Sequence, residues 1–349
     1  MSKLRIDWVD YAKGLCIILV VMMHSTLGVE KAMGAASALG HFVEWARPFR
    51  MPDFFMISGL FLASRIGRPW REYLDTKVVH FAYFYLLWMT IQFAFKGYGI
   101  WQEQGLAGLG QGWLMGLIEP FGTLWFIYLL AVFFIVVKAT RQVPPVLIFA
   151  IGAGLEMLPI ETGWLLIDEF CARFVYFFAG YWMAQRIFDF AFEVGLRSTA
   201  AIIAGLVIWA IANGVAVGLG WSHLPGVSLI MGFVGASAVV STGVLLSKFR
   251  LADAIRYCGQ NSIVIYLAFF LPMAVMRALL LKSPLAGQLS LVALIVTAFG
   301  VVCPVLLFWA VRGTRLSFLF RRPTWAKLET HGAGWHSAAH VKISQPQAR

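Results

Sequence analysis

The chain has 349 residues, of which 60% are hydrophobic and only 13% charged, and its formal net charge is +11. That balance excludes an ordinary soluble domain, where about a quarter of residues are charged, and places the chain among polytopic membrane proteins. The basic excess does not indicate nucleic acid, because no basic stripe is interleaved with exposed aromatics; in a membrane protein it reports which side the loops face.

A hydrocarbon core of about 30 Å requires roughly 17 to 25 apolar residues per helix. Apolar runs between charge clusters predict an all-α integral membrane protein with about ten transmembrane helices. They cover residues 14 to 33, 49 to 64, 78 to 95, 121 to 138, 143 to 159, 170 to 185, 198 to 219, 227 to 247, 259 to 281 and 286 to 311. Before the first run, Lys3, Arg5 and Lys13 resemble the start of a secretory signal, but Asp7, Asp10 and His24 mark a retained signal-anchor helix. Gly-rich outer loops are expected at about 34 to 48 and 96 to 120. Residues 1–322 form one transmembrane domain in this reading, and 323–349 a polar, disordered cytoplasmic tail. The tail histidines His331, His336 and His340 read as solvated, and no metal site is assigned. Cys16, Cys171, Cys258 and Cys303 all fall inside apolar segments with no C-x-x-C pair, which argues against disulfides or zinc.

Orientation follows from the loops. With residue 1 inside, 21 of the 28 Lys and Arg collect on the inner side, and five (Lys31, Arg47, Arg50, Lys96 and Lys282) on the outer side. Arg173 and Arg277 fall in or near spans. The contrast predicts cytoplasmic termini.

The chemistry-bearing residue in this frame is His24, a titratable ring inside the first apolar run. Lys13 lies eleven residues earlier, about three turns, so both share one helical face with backbones roughly 16 Å apart along the axis. Asp10 lies one turn below Lys13, near the same face. A cation at the mouth of a span can hold a phosphate, and a deeper imidazole can act as general base on an activated acyl group extended between them. Asp53 in the second span is a carboxylate placed to orient His24 as a third member of a relay.

The run DYAKGLCIILVVMMH, with Asp10, Lys13 and His24, resembles the D-x-x-R-x10-H signature of the acyltransferase 3 family of membrane acyltransferases. MPDFFMISGLF at 51 to 61, with Ser58, is similar to that family's P-x-F-F-x-x-S-G segment, and TLWFIYLL at 123 to 130 to its L-W-F-L segment. RFVYFFAGYWMA at 173 to 184 resembles R-x-x-x-F-x-x-G, and GQNSIVIYL at 259 to 267, with Asn261, Ser262 and Tyr266, resembles N-S-x-x-I-Y-L. Five segments in the same order cover nearly all the predicted spans. Three positions depart from the pattern: Lys13 stands for arginine, Phe269 for a histidine that often follows I-Y-L, and Lys77 with His80 for a basic R-x-x-R pair.

The resemblance implies transfer of an acyl group, usually acetyl from acetyl-CoA, to a hydroxyl of a sugar or glycan, in a multi-pass protein of the cell inner membrane. No bound cofactor is implied; acyl-CoA is a co-substrate. His24 and Asp53 are then the candidate catalytic pair, and Asp10, Lys13, Arg65, Arg68, Arg71 and Lys77 the candidate acyl-donor site. Ser58, Arg173, Asn261, Ser262 and Tyr266 are polar residues for the acceptor or for structure. The expected partners are the lipid bilayer, acyl-CoA, a glycan or lipid-linked sugar acceptor and, because no extracytoplasmic domain is fused, a separate extracytoplasmic chain. Two other readings compete: a transporter or flippase of an acylated or lipid-linked carbohydrate, with His24, Asp53, Arg173 and Arg277 along its route, and a catalytically silent membrane scaffold.

Overall fold

A computed structural model describes residues 6–328. The expected tail from residue 329 on, with its three histidines, lies outside the described residues, as do Lys3 and Arg5.

Fourteen α-helices occur among the described residues, and no strand. They are α1 (Asp7–Met33), α2 (Ala38–Gly59), α3 (Trp70–Leu74), α4 (His80–Ile118), α5 (Trp125–Ala139), α6 (Pro145–Met157) and α7 (Leu165–Trp182). There follow α8 (Ala184–Leu196), α9 (Thr199–Gly218), α10 (Val227–Phe249), α11 (Asp253–Gln260), α12 (Ser262–Ala268), α13 (Phe270–Leu280) and α14 (Leu289–Val311). Among the described residues six helical stretches are long and apolar enough to cross a bilayer: Asp7–Met33, Trp70–Gly97, Gly99–Ala139, Thr199–Gly218, Val227–Phe249 and Leu289–Val311. The pair α12 and α13, bent by 54°, makes a seventh if it is one broken span. On α9, Ile203, Val207, Ile208, Ile211 and Val215 are all exposed, an apolar stripe that water does not tolerate and lipid does. The chain is a multi-pass membrane protein.

α1 is the hub, packed by α2, α10, α11, α12, α13 and α14. Asp7 and Asp10 in its first turn oppose the positive end of the helix dipole. Gly34 ends it in the left-handed region, φ 64°. Glu30 then accepts from both the backbone N–H and the hydroxyl of Ser37, each at 2.7 Å, and Ser37 caps α2 by accepting from the Gly40 N–H. The α1–α2 turn is thus closed by side chains within a few residues of one another.

Close backbone approach sets the rest. A Cβ on Gly259 would stand 1.6 Å from the Asp10 carbonyl oxygen, and one on Gly14 2.0 Å from that of Ile255. Only glycine lets α11 lie this tightly on the start of α1, the small-residue contact on which membrane helices rely.

The structure departs from the expected boundaries in three places. The stretch 38 to 48 is not loop but the first half of α2. The Gly-rich stretch 96 to 118 is helical, interrupted only at Gly105 with φ 67° and ψ −167°. Where water is scarce, backbone hydrogen bonds outweigh the entropy that glycine otherwise costs a helix, so glycine counts there as a weak breaker. The single expected span at 259 to 281 is broken at Asn261 and Phe269 into pieces of α11, α12 and α13.

Some of the cations expected on the inner side hold the fold. Arg322 meets Asp75 at 2.6 Å with both side chains almost fully buried, and Asp75 also accepts from the Leu328 N–H at 2.7 Å. Residues 323–328 of the expected tail therefore fold back on the turn before α4. Lys138, 1% exposed, donates to the Arg68 carbonyl at 2.6 Å and to that of Ile66.

Candidate functional site

Two cavities lie along α1. The first, of about 900 Å³, is lined by Asp10 and Lys13 from α1, Phe61, Ser64 and Arg65 from the turn after α2, Thr76 and Lys77 before α4, and Gly259, Gln260 and Ser262 at the α11–α12 break. Lys13 stands over the Phe61 ring at 5.6 Å and Lys77 over Phe134 at 4.6 Å. Asp10 is nine-tenths buried and its Oδ2 has no hydrogen-bond partner among the described residues. Three cations around one carboxylate leave this cavity positive, suited to phosphate oxygens.

Of the residues expected at the donor end, Asp10, Lys13, Arg65 and Lys77 come together here, joined by Ser262. Arg68 and Arg71 do not line this cavity. Arg68 pairs with Glu72, and Arg71 donates to the Leu328 carbonyl at 2.9 Å. Arg68 is held by its helical neighbour, and Arg71 by the end of the described chain, which lies against α3.

The second cavity, of about 220 Å³, contains His24. Around it stand Val20 and Met23 from α1, Arg50, Met51 and Phe54 from α2, Thr123, Trp125 and Phe126 from the start of α5, Glu169 and Arg173 from α7, and Tyr266 from α12. Arg173 is paired with Glu169 at 3.0 Å, while Asp168 turns away to accept from the backbone and hydroxyl of Thr162, both at 2.8 Å. Tyr266 accepts from the Phe126 N–H at 3.1 Å and donates to the Thr123 carbonyl, which ties α12 to the first turn of α5. The His24 ring rests on Phe269, centroids 5.4 Å apart.

The expected relay is not formed. Asp53 is fully buried, accepts from the Cys16 thiol, and lines neither cavity. Cys16 lies eight residues before His24, about 12 Å along the helix, so α2 crosses α1 too low for its carboxylate to reach the imidazole. Ser58 returns its hydroxyl to the Phe54 carbonyl at 2.8 Å, and Asn261 donates to the Tyr257 carbonyl at 2.9 Å. These two serve their own helices.

Arg50 and Thr123 are the polar cavity residues that the sequence does not single out, whereas the acidic pair Asp168 and Glu169 before Arg173 already points to an ion pair there. Arg50 counts with the outer-side cations in the sequence; the signal for its role is its place two residues before Pro52, next to the MPDFFMISGLF segment. Glu169 was legible as an i,i+4 partner of Arg173.

The model of the acyltransferase-3 family, an acyltransferase domain, matches residues 6–309. The chain is also similar to "Inner membrane protein YcfT" of Escherichia coli (strain K12), 24% identical over 284 residues that cover 74% of this chain and 77% of that protein. No solved structure matches. The family match takes in α1 through most of α14, with both cavities, and the chain accordingly belongs to the acyltransferase-3 family of membrane acyltransferases.

Proposed function

We propose that this protein is a membrane O-acyltransferase that binds acyl-CoA at the Lys13 cavity and acylates a hydroxyl held at the His24 cavity. The observation that carries this reading is the placement of Lys13 and His24, on one face of α1, in two separate polar cavities. The spacing of roughly 16 Å suits a long, thin donor whose phosphates sit at one end and whose thioester reaches the other. Family membership supports the reaction class, and the relative's name supports an inner-membrane location. Acetyl is the proposed acyl group and a sugar the proposed acceptor. The bias of Lys and Arg supports about ten crossings with cytoplasmic termini, α2, α6 and α7 crossing alongside the more apolar helices.

In the step so proposed, neutral His24 takes the proton of the acceptor hydroxyl as its oxygen attacks the thioester carbonyl. The C–S bond breaks, the CoA thiolate leaves, and the proton passes from the imidazolium to that sulfur. The transport route drawn through Asp53 finds less support, because that carboxylate sits on Cys16 outside both cavities.

The test is transfer of label from radiolabelled acetyl-CoA by the full-length protein in vesicles. Wild type is expected to label an acceptor and His24→Ala to lose about a hundredfold or more of the rate. Equal labelling by the two proteins overturns the assignment.

A further inference from the structure

The His24 cavity has a charge and hydrogen-bond pattern that acylation of a bare hydroxyl does not require. Arg50 is more than nine-tenths buried, lines the cavity, and forms no ion pair among the described residues. Among the described residues its guanidinium donates only to the Val43 carbonyl, at 3.4 Å, and its buried Nε meets no acceptor. Thr123, on the same cavity and equally buried, has an Oγ1 with no partner. The remaining charges on the wall are Arg173 and Glu169, which pair with each other. Asp53, three residues beyond Arg50, accepts from the Cys16 thiol and does not line the cavity; Glu44, six residues before it, pairs with Arg47, and Glu156 accepts from the Tyr176 hydroxyl outside the cavity. Among the described residues, one buried arginine charge thus faces the cavity without a carboxylate at ion-pair distance.

An unmatched buried cation is costly and marks a binding site when it faces a cavity. A guanidinium presents parallel N–H groups that fit carboxylate or phosphate, and a threonine hydroxyl adds one more donor beside it. With about 220 Å³, the space is below the roughly 300–1,000 Å³ of drug-sized sites and takes a single sugar-sized unit.

We propose that the acceptor acylated at His24 carries an oxyanion, a carboxylate or a phosphate, close to the reacting hydroxyl, and that Arg50 with Thr123 binds it. This rests on the acyltransferase reading and adds the acceptor's charge to it. Arg50 is then a specificity residue.

The test is binding to purified full-length protein in nanodiscs, followed by thermal shift and calorimetry, with glucuronate, glucose 1-phosphate and glucose as probes. At least one of the two anionic sugars is expected to stabilise the wild type and glucose not to; which one does so separates carboxylate from phosphate. Arg50→Gln is expected to weaken that binding at least about tenfold, Arg50→Lys to retain part of it, and Thr123→Val, which keeps the shape, to weaken it less. Equal behaviour of the three sugars, including no shift with any, overturns the proposal, as does unchanged binding in both Arg50→Gln and Thr123→Val. Acetyl transfer is measured on the same samples. Transfer that shows no preference for an anionic acceptor removes this inference and leaves the enzyme assignment standing. Arg50-dependent binding without any transfer does the reverse.

Discussion

The imidazole of His24 lies on the ring of Phe269, centroids 5.4 Å apart and planes inclined by 34°. Phe269 is fully buried at the break between α12 and α13, so the bend of 54° there delivers an aromatic wall to the one titratable ring on the upper half of α1. In the family pattern a histidine often occupies this position; here the neighbour is apolar and cannot share a proton. Phe269→Ala is expected to cost about 3–5 kcal/mol of stability, read from unfolding in detergent, and to lower turnover by about tenfold through loss of ring orientation. Phe269→Leu keeps most of the bulk and is milder in both measurements.

At the other end of the face, Lys13 and Lys77 line the larger cavity while Arg68 is engaged with Glu72. Lys13→Ala should raise KM for acetyl-CoA by about tenfold to a hundredfold, the weight of one charge-assisted contact. Arg68→Ala should change it little. Lys13→Arg restores the family's residue and its bidentate reach, and is expected to hold or lower KM. An Arg68→Ala effect as large as that of Lys13→Ala contradicts this division.

Asp53 separates two mechanisms. A carboxylate that oriented His24 would make Asp53→Asn nearly as damaging to turnover as loss of the imidazole. Its bond to Cys16 predicts instead a stability effect, and a double-mutant cycle of Cys16→Ala with Asp53→Asn should show coupling of about 0.5–3 kcal/mol. The cycle is read by unfolding, with kcat measured alongside; a collapse of kcat in Asp53→Asn without a stability change refutes the structural role.

The buried pair Asp75 and Arg322 fastens the end of the described chain to the turn before α4. Removing one partner leaves an uncompensated buried charge, so Arg322→Met should destabilise by about 3–5 kcal/mol. The double variant Asp75→Leu with Arg322→Met should recover much of that loss. Tm values of the three proteins in one detergent decide it; additive losses rule the pairing out as a major contributor.

Class and the outline of the site were legible in the sequence for a simple reason. Membrane insertion is decided by local apolar runs, and a histidine and a lysine eleven residues apart share a helical face whatever surrounds them. Hence an all-helical, multi-pass chain with Lys13 and His24 aligned needed no tertiary information. The same holds for the Arg173–Glu169 pair, set by helical spacing alone. Boundaries were less legible, because glycine and proline, which punctuate soluble chains, are carried inside α2 and α4 where backbone hydrogen bonds have no competing water.

Only tertiary structure decided which polar groups meet. Asp53 and Arg50 sit three residues apart in α2, yet one turns to Cys16 and the other to the His24 cavity. The choice depends on where α2 crosses α1, α7 and α10, and that crossing depends on close glycine approaches such as those of Gly59 and Gly180 between α2 and α7 and of Gly235 on α10 to Phe49. Arg71 is drawn from the donor site for the same reason, its partner Leu328 being set by packing between distant segments, whereas Arg68 is held by its i,i+4 neighbour Glu72. The sequence by itself determined a membrane-spanning helix with a cation below a histidine. The fold decided that these open into two chambers, and that the upper one presents an unmatched arginine.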